Sequence, residues 1–557
     1  MTAQPSIRPY LSQAYLLGLL MVVVGLTLSP FLMGMSQFWL VLVWIVDGII
    51  AKDFKQKLSR FWHNKAAVLL VAFYLMHVVG LLWTSDYQYA LRDLRVKLPI
   101  LVMPFVMSSM EPLDRKRFNF VMLVYVLSVF VATVFSSVTY WRHSYEDVRE
   151  ISLFISHIRF CLNIVFCITV IGYYLYERRI SRGQGVPAFS SKVALDQYLM
   201  WFLLFWFVYQ IYIFESLSGY VILAVVALVS AAYAFLQWKQ SRGWHIAVAA
   251  TALAVLVIGV VCAVHFVKPL LKVEPVDFAT LEQKTAQGND YWHDTVYNPV
   301  EDGRFVGLYY CRKELQEAWP LRSEMPLEGK TLNGESLEAT LARYLTSKGL
   351  RKDAQGVMDL TDEDVRNIEQ GVANYNNWKH PGMHARLSST LFEYNIYRRF
   401  NNPNGGSLSQ RIEFTRASFH IIGQHPWFGV GTGDVPQAFA QTYDEIHSPL
   451  KEEYRFRAHN QYLAIAVAFG LVGLAFFLFV LFYPWCSSKR YHTYLYMVFL
   501  CIMLLSMFPE DTLETQAGAS LFAFFGVLLL IHSPKTQTKE LFPKPLCPIE
   551  NNGYFCG

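Results

Sequence analysis

Charge is what this sequence has least of. Only 16% of its 557 residues are Asp, Glu, Lys or Arg, against 54% hydrophobic and 16% aromatic, which is too few to cover a soluble enzyme of this length. The missing water-facing surface must face lipid. The net charge of +5 is small, and the basic residues lie mainly in short loops between apolar runs, so nucleic acid is not an expected partner. Cysteine is scarce where it could staple a fold. Of the eight, Cys161, Cys167, Cys262 and Cys501 fall in apolar runs and Cys486, Cys547 and Cys556 on the side assigned below to the cytoplasm. Only Cys311 lies in the long polar segment, so no disulfide framework is available there. The apolar run from Tyr15 lacks a basic leader and a small-residue cleavage site and reads as a retained helix. Internal repeats, low-complexity tracts and compact His/Cys/Asp/Glu groups with metal-ligand spacing are also missing, so neither a metal nor a cofactor is expected.

What is present is a series of apolar runs near the ~20 residues that cross a ~30 Å hydrocarbon layer. The expected spans are 13–33, 36–50, 66–84, 97–110, 118–139, 156–176, 198–214, 217–236, 244–267, 461–484, 491–508 and 517–533, the second and fourth short enough to suggest re-entrant segments. Basic residues then alternate. Lys52, Lys55, Lys57, Arg60 and Lys65, Arg115 to Arg117, Arg178, Arg179 and Arg182, Lys239 and Arg242, Lys489 and Arg490, and Lys535 and Lys539 mark inner loops, whereas the outer short loops hold chiefly Arg92, Arg95, Arg142 and Arg149. The fold class expected is an all-α polytopic membrane protein of about 12 helices with both termini cytoplasmic. It divides into a membrane domain over 1–267, a large outer domain over 268–459, a second membrane portion over 460–533 and a tail over 534–557.

The outer segment is too long for a connection and should fold. Tyr291, Trp292, Tyr297, Tyr309 and Tyr310 among turn residues admit strands, while the remainder is mainly helical: Glu335 to Lys348, Thr361 to Tyr375, Arg386 to Phe400 and Gln410 to Gln424. Thr361 with Asp364 forms a near capping box, and Asn402 to Gly406 is a turn cluster.

The most informative stretch runs SQRIEFTRASFHIIGQHPWFGVGTGD from Ser409, then RAHNQYLAIAVAFGLVGL from Arg457. Arg411 and Arg416 sit on a cationic helix, and Arg411 offers a planar fork suited to phosphate. Gly429, Gly431 and Gly433 permit close backbone approach to a ligand. His459 and Asn460 lie at the mouth of a membrane helix, where a histidine can act as base or donor near neutral pH. His425 before Pro426 reads first as a helix terminator.

These elements resemble the O-antigen ligase and polymerase superfamily of bacterial envelope glycosyltransferases. The resemblance rests on Arg411, the H-P-x-x-G-V-G-x-G turn from His425 to Gly433, His459 with Asn460, and the G-x-x-G helix at Gly470 and Gly473. It implies a GT-C-like membrane fold and a metal-independent transfer of a glycan from undecaprenyl diphosphate to an acceptor on the outer face of the inner membrane, with inversion expected because a single displacement needs no covalent intermediate. It further implies that Arg411 holds the diphosphate and that His459 acts at the acceptor or leaving group. The family often carries S-R-G where its seventh and eighth helices meet, whereas this chain reads Glu215-Ser-Leu-Ser-Gly219, with Ser218 in place of the Arg. Lys97, Arg159, Arg92 and Arg95 are candidate replacements, although boundary arginines also snorkel. Glu510, Asp511 and Glu514 form an acidic loop that is either merely solvated or able to orient a cation or accept a hydroxyl proton. The expected activity is ligation of a glycan to lipid A-core. A polymerase, a protein O-oligosaccharyltransferase and, from another class, a lipid or polysaccharide transporter are the alternatives.

Overall fold

The computed structural model describes residues 7–142, 148–183, 197–238, 272–380, 382–487 and 494–532. Among the described residues, six helices are long and apolar enough to cross a membrane and four shorter apolar helices accompany them. The six are α1 (Arg8–Leu28), α2 (Pro30–Ala51), α4 (Lys65–Val79, continued by a 3-10 turn Gly80–Trp83), α6 (Arg115–Arg142), α7 (His157–Gly183) and α18 (Gln461–Ser487). The shorter four are α8 (Gln197–Ile213), α9 (Leu217–Trp238), α19 (Tyr494–Ser506) and α20 (Gln516–His532). The chain is a multi-pass, mostly helical membrane protein. The expected span 244–267 and the tail 534–557 lie outside the described residues.

Two boundaries differ from the sequence expectation for local reasons. Pro30 starts a helix instead of lying inside one: Ser29 accepts from Leu32 N at 3.2 Å, and Pro at the first helical position loses no hydrogen bond. The second span is therefore 22 residues, long enough to cross. The fourth lies in α5 (Tyr87–Ser109), which begins ten residues earlier than expected because Asp86 caps it, accepting from Tyr89 N at 2.9 Å. Its charged first half stays helical with Asp93 and Lys97 buried. The loop between α2 and α4 also contains a short amphipathic helix, α3 (Phe54–His63), whose Lys57 is buried against Asp47 at 2.7 Å.

The membrane core is aromatic and close-packed. Phe525 lies 4.7 Å from Tyr125 and 4.9 Å from Phe166 between ring centroids, joining α6, α7 and α20. Lipid offers no hydrophobic drive for helices to associate, so such contacts carry the packing. A second core gathers Leu315, Trp319, Leu337, Leu341, Tyr344, Val357 and Ile368 from α10 (Arg312–Ala318) and the 3-10 turn after it, α11 (Leu337–Lys348), α12 (Ala354–Met358) and α13 (Asp362–Gln370). The Thr361 and Asp364 capping box is present, and α13 stops at Gly371 in the left-handed region, so Tyr375 begins a separate helix, α14 (Tyr375–Lys379). Strand structure is limited, among the described residues, to a hairpin of Val300–Glu301 with Arg304–Phe305 and isolated bridges, one pairing Trp292 with Tyr310. Asp302 in that hairpin accepts from Asn374, Asn376 and Ser388, which ties this core to α15 (Met383–Phe400). Helix α15 packs on α16 (Ser407–Gln424), which carries Arg411.

Candidate functional site

The glycine turn after α16 is held by backbone. Val430 N donates to Val467 O at 3.0 Å, Gly431 N to Ala468 O at 2.9 Å and Leu471 N to Pro426 O at 2.8 Å. Those carbonyls are available because α18 is broken at Gly470, where φ is 64° and ψ is −167°. A Cβ on Gly429 would lie 2.4 Å from Val467 O, and one on Gly470 would lie 2.3 Å from Trp427 C. Both glycines have positive φ, so the turn and the helix break require each other. The same turn grips the start of α5: Gly433 N donates to Thr84 Oγ1 at 2.8 Å, and the Asp434 carboxylate accepts from Ser85 N at 2.9 Å and Asp86 N at 2.8 Å. Burial works to raise the Asp434 pKa, but these donors hold it below its usual value.

Beside this clamp, a cavity of about 1070 Å³ opens between the start of α7, α17 (Val435–Glu445) and the segment leading into α18; its lining includes Arg159, Arg455, Arg457, His459, Glu510 and Asp511. The loop after α19 reaches it because Gln461 N donates to Met507 O at 2.9 Å and Leu513 N to Gln461 Oε1 at 2.6 Å. Asn460 fastens the same junction, donating to Phe508 O and capping α18 by accepting from Leu463 N. His459 itself has φ +44°, a strained conformation for a residue with a side chain. It is set by the contacts on either side. Its Nδ1 lies 3.8 Å from Asp511 and 4.0 Å from Glu510, and it is buried without a hydrogen-bond partner. Arg159 Nε is likewise buried without one, while its Nη1 donates to Ser156 at 2.9 Å. Buried polar atoms are seldom left without a hydrogen bond, and with Asp511 Oδ2 three of them belong to residues lining this cavity.

Charge around the cavity is a network of alternating signs. Arg411 Nη2 donates to Glu510 Oε1 at 2.9 Å. Arg457 Nε lies 2.7 Å from Asp511 Oδ2, an ion pair off the N–H direction, and Arg457 Nη1 lies 3.4 Å from Glu514. Glu514 also accepts from Lys97 at 2.7 Å, and Lys97 pairs with Asp93 at 2.5 Å. Burial pushes the Glu510 carboxyl above its ordinary value; Arg411 and His459 oppose the rise and Asp511 adds to it. Glu514 is also buried, yet Lys97 and Arg457 hold it well below the carboxylate range. Neighbouring carboxylates thus differ in proton affinity.

The structure brings His459, Arg159, Glu510 and Asp511 to the cavity wall. Arg411 reaches it through Glu510, and Lys97 and Glu514 form a buried layer behind it. Arg92 and Arg95 are exposed on α5 and line none of these cavities; Arg416 is exposed and 3.8 Å from Glu413. Gly429 and Gly431 approach the chain's own backbone, so the ligand approach anticipated for them is replaced by the clamp. Ser218 donates no cation, but its turn packs against the start of α7: Phe214 lies 5.1 Å from Phe160, and a Cβ on Gly219 would lie 3.5 Å from Cys161. These contacts pack the segment that holds Ser218 against the first turn of α7, which also carries Arg159.

Arg457 was missed by sequence reasoning. It stands two residues before His459 in the motif, and that proximity was the available signal. The absence of a metal-like group in sequence spacing also needs correction: ligand atoms of His459, Glu510 and Asp511 lie within 4.8 Å of one another. Contact between the α18 entrance and the loop after α19 creates this group from residues about 50 apart, beyond the reach of a spacing rule. It could hold a cation, although Arg411 and Arg457 already pair with its carboxylates.

Residues 379–478 match the family model described as O-antigen ligase. The matched segment includes Arg411, the glycine clamp, His459 and the break in α18, and excludes the second core and the acidic loop. No curated protein matches the chain. Over this segment the chain is similar to the O-antigen ligase superfamily, whose members are membrane glycan-transferring enzymes.

Proposed function

We propose that this protein is a glycan ligase that transfers an undecaprenyl diphosphate-linked glycan to lipid A-core on the periplasmic face of the inner membrane, with inversion. The observation that carries this is the convergence of Arg159, Arg457, His459, Glu510 and Asp511 on one cavity beside a membrane helix of the matched segment. The acceptor hydroxyl oxygen attacks the anomeric carbon, its proton passes to Glu510, and the bond to the diphosphate oxygen breaks with both electrons leaving on the diphosphate. The raised proton affinity of Glu510 suits it to this task. His459, whose Nδ1 lies 3.8 Å from Asp511, donates to an oxygen at the reacting centre, and Arg159 and Arg457 meet the developing phosphate charge. Arg411 holds Glu510 and offers the rest of its fork to the diphosphate.

Residues 268–459 lie outside and both termini inside, as the alternation of basic loops supports; labelling of single cysteines in the outer segment only from the cytoplasmic side would refute this. The reaction is tested with purified protein, lipid-linked glycan and three separate acceptors: lipid A-core, a second lipid-linked glycan and a periplasmic protein. Product on lipid A-core with release of undecaprenyl diphosphate is expected. Product only on the second or third acceptor would reassign the enzyme as a polymerase or a protein glycosyltransferase, and no product on any would reject the activity.

A further inference from the structure

A second cavity, of about 840 Å³, lies in the outer segment and shares no lining residue with the first; Asn289, Trp292, Tyr310, Arg312, Lys313 and Glu338 are among its walls. All of them fall outside the matched residues 379–478. We propose that this groove is a saccharide-binding subsite that grips a sugar unit of a glycan substrate away from the reacting bond. The inference rests on the transferase reading for its ligand but on separate residues for its evidence.

Trp292 is 58% exposed, so much of its ring is open to the groove's solvent side. It is nevertheless fixed in place. Its backbone exchanges two hydrogen bonds with Tyr310, at 2.8 and 3.1 Å, and the two rings meet edge to face with centroids 6.1 Å apart. Beside the rings, the Glu338 carboxylate accepts from Tyr310 Oη at 2.6 Å and from Arg312 through Nε at 3.0 Å and Nη2 at 3.2 Å. On the other side, the Asn289 amide is held by Glu314 at 2.8 Å and Lys313 at 3.1 Å. These planar groups are set before any ligand arrives, which lowers the ordering cost of binding.

A pyranose ring has one face of C–H bonds that stacks on an aromatic plane and a rim of hydroxyls that both donate and accept. The groove supplies an aromatic face flanked by carboxylate, guanidinium and amide. Arg312 and Lys313 are balanced by Asp290 and Glu338 in the lining, so the charge suits a hydroxyl-rich ligand better than a polyanion. Two substrates could supply the sugar: the lipid-linked donor and the acceptor core.

The test uses the full chain in nanodiscs and two probes: oligosaccharide released from the lipid-linked donor by mild acid, and core oligosaccharide freed from lipid A. Saturation-transfer NMR should show one of them bound by wild type and by His459→Ala. The signal should be lost in Trp292→Ala and in Arg312→Gln, two surface changes. In the transfer assay, KM for the substrate bearing that sugar should rise about tenfold in both variants, identifying donor or acceptor as the source. Neither probe binding, or Trp292→Ala and Arg312→Gln binding as wild type does, overturns the subsite. Sugar bound through Trp292 by a protein that transfers nothing would support the subsite while rejecting the transferase reading.

Discussion

Replacing Arg457 separates the structural and chemical roles of the charge network. Arg457→Ala leaves the Asp511 carboxylate, 5% exposed, without the cation 2.7 Å away. Breaking a buried pair typically costs ~3–5 kcal/mol because one charge stays desolvated and uncompensated. Here the arginine side chain is 30% exposed and His459 Nδ1 remains 3.8 Å from Asp511, so a loss at or below the lower limit, ~2–3 kcal/mol, is expected. Glu514 keeps Lys97 at 2.7 Å and adds little. The assay is thermal unfolding in detergent, comparing wild type, Arg457→Ala, Asp511→Asn and the double variant. Removing the orphaned charge should restore most of the stability, so the cycle should give a coupling energy of ~1.5–3 kcal/mol. Glycan transfer should fall by ~10²–10³ in Arg457→Ala and remain low in the double variant, because restored stability does not restore a cation to the departing phosphate. A single variant as stable as wild type, or a double variant that regains transfer, would refute this division of roles.

In the proposed mechanism Glu510 acts unprotonated, so burial that raises its pKa should move the acid limb of the rate profile upward, above the ordinary glutamate value of about 4.3. Arg411→Gln removes an opposing charge and should move the limb of the residual activity higher still; pH–rate profiles showing no upward shift would contradict the pairing. EDTA should leave turnover unchanged, because Arg411 and Arg457 already supply positive charge to the Glu510 and Asp511 carboxylates. Loss in EDTA with recovery on adding a divalent cation would instead assign a metal to His459, Glu510 and Asp511. Gly429→Ala and Gly470→Ala each put a Cβ within 2.4 Å of backbone at positive φ, so both should fail to yield monodisperse protein on size-exclusion chromatography, and a wild-type elution profile would count against the clamp.

Most of the helices were legible because an apolar run of membrane length has few other uses. Their ends were less so. Pro30 serves equally to stop one helix and to start the next, and only the Ser29 cap distinguishes the cases. The amphipathic helices around Leu341 and Val365 followed the 3.6-residue period, whereas the segment around Trp292 satisfies its backbone through isolated bridges and loops, with no periodicity to read. In the site, Arg411 and His459 stood out through the motif, but their partners Glu510 and Asp511 lie beyond another helix. The use of the glycines was not legible at all. Positive φ at Gly429 permits approach to a ligand or to a neighbouring strand of chain, and only the break at Gly470 shows which surface it meets.

The central claim, that fixed groups around one cavity at the membrane surface carry out glycan transfer, is tested most directly by turnover per correctly inserted molecule in His459→Ala and Arg411→Ala. Each should lose ~10²-fold or more while inserting and folding, and Arg411→Lys should recover little because a point charge lacks the planar fork. Near-wild-type turnover in both alanine variants would contradict it.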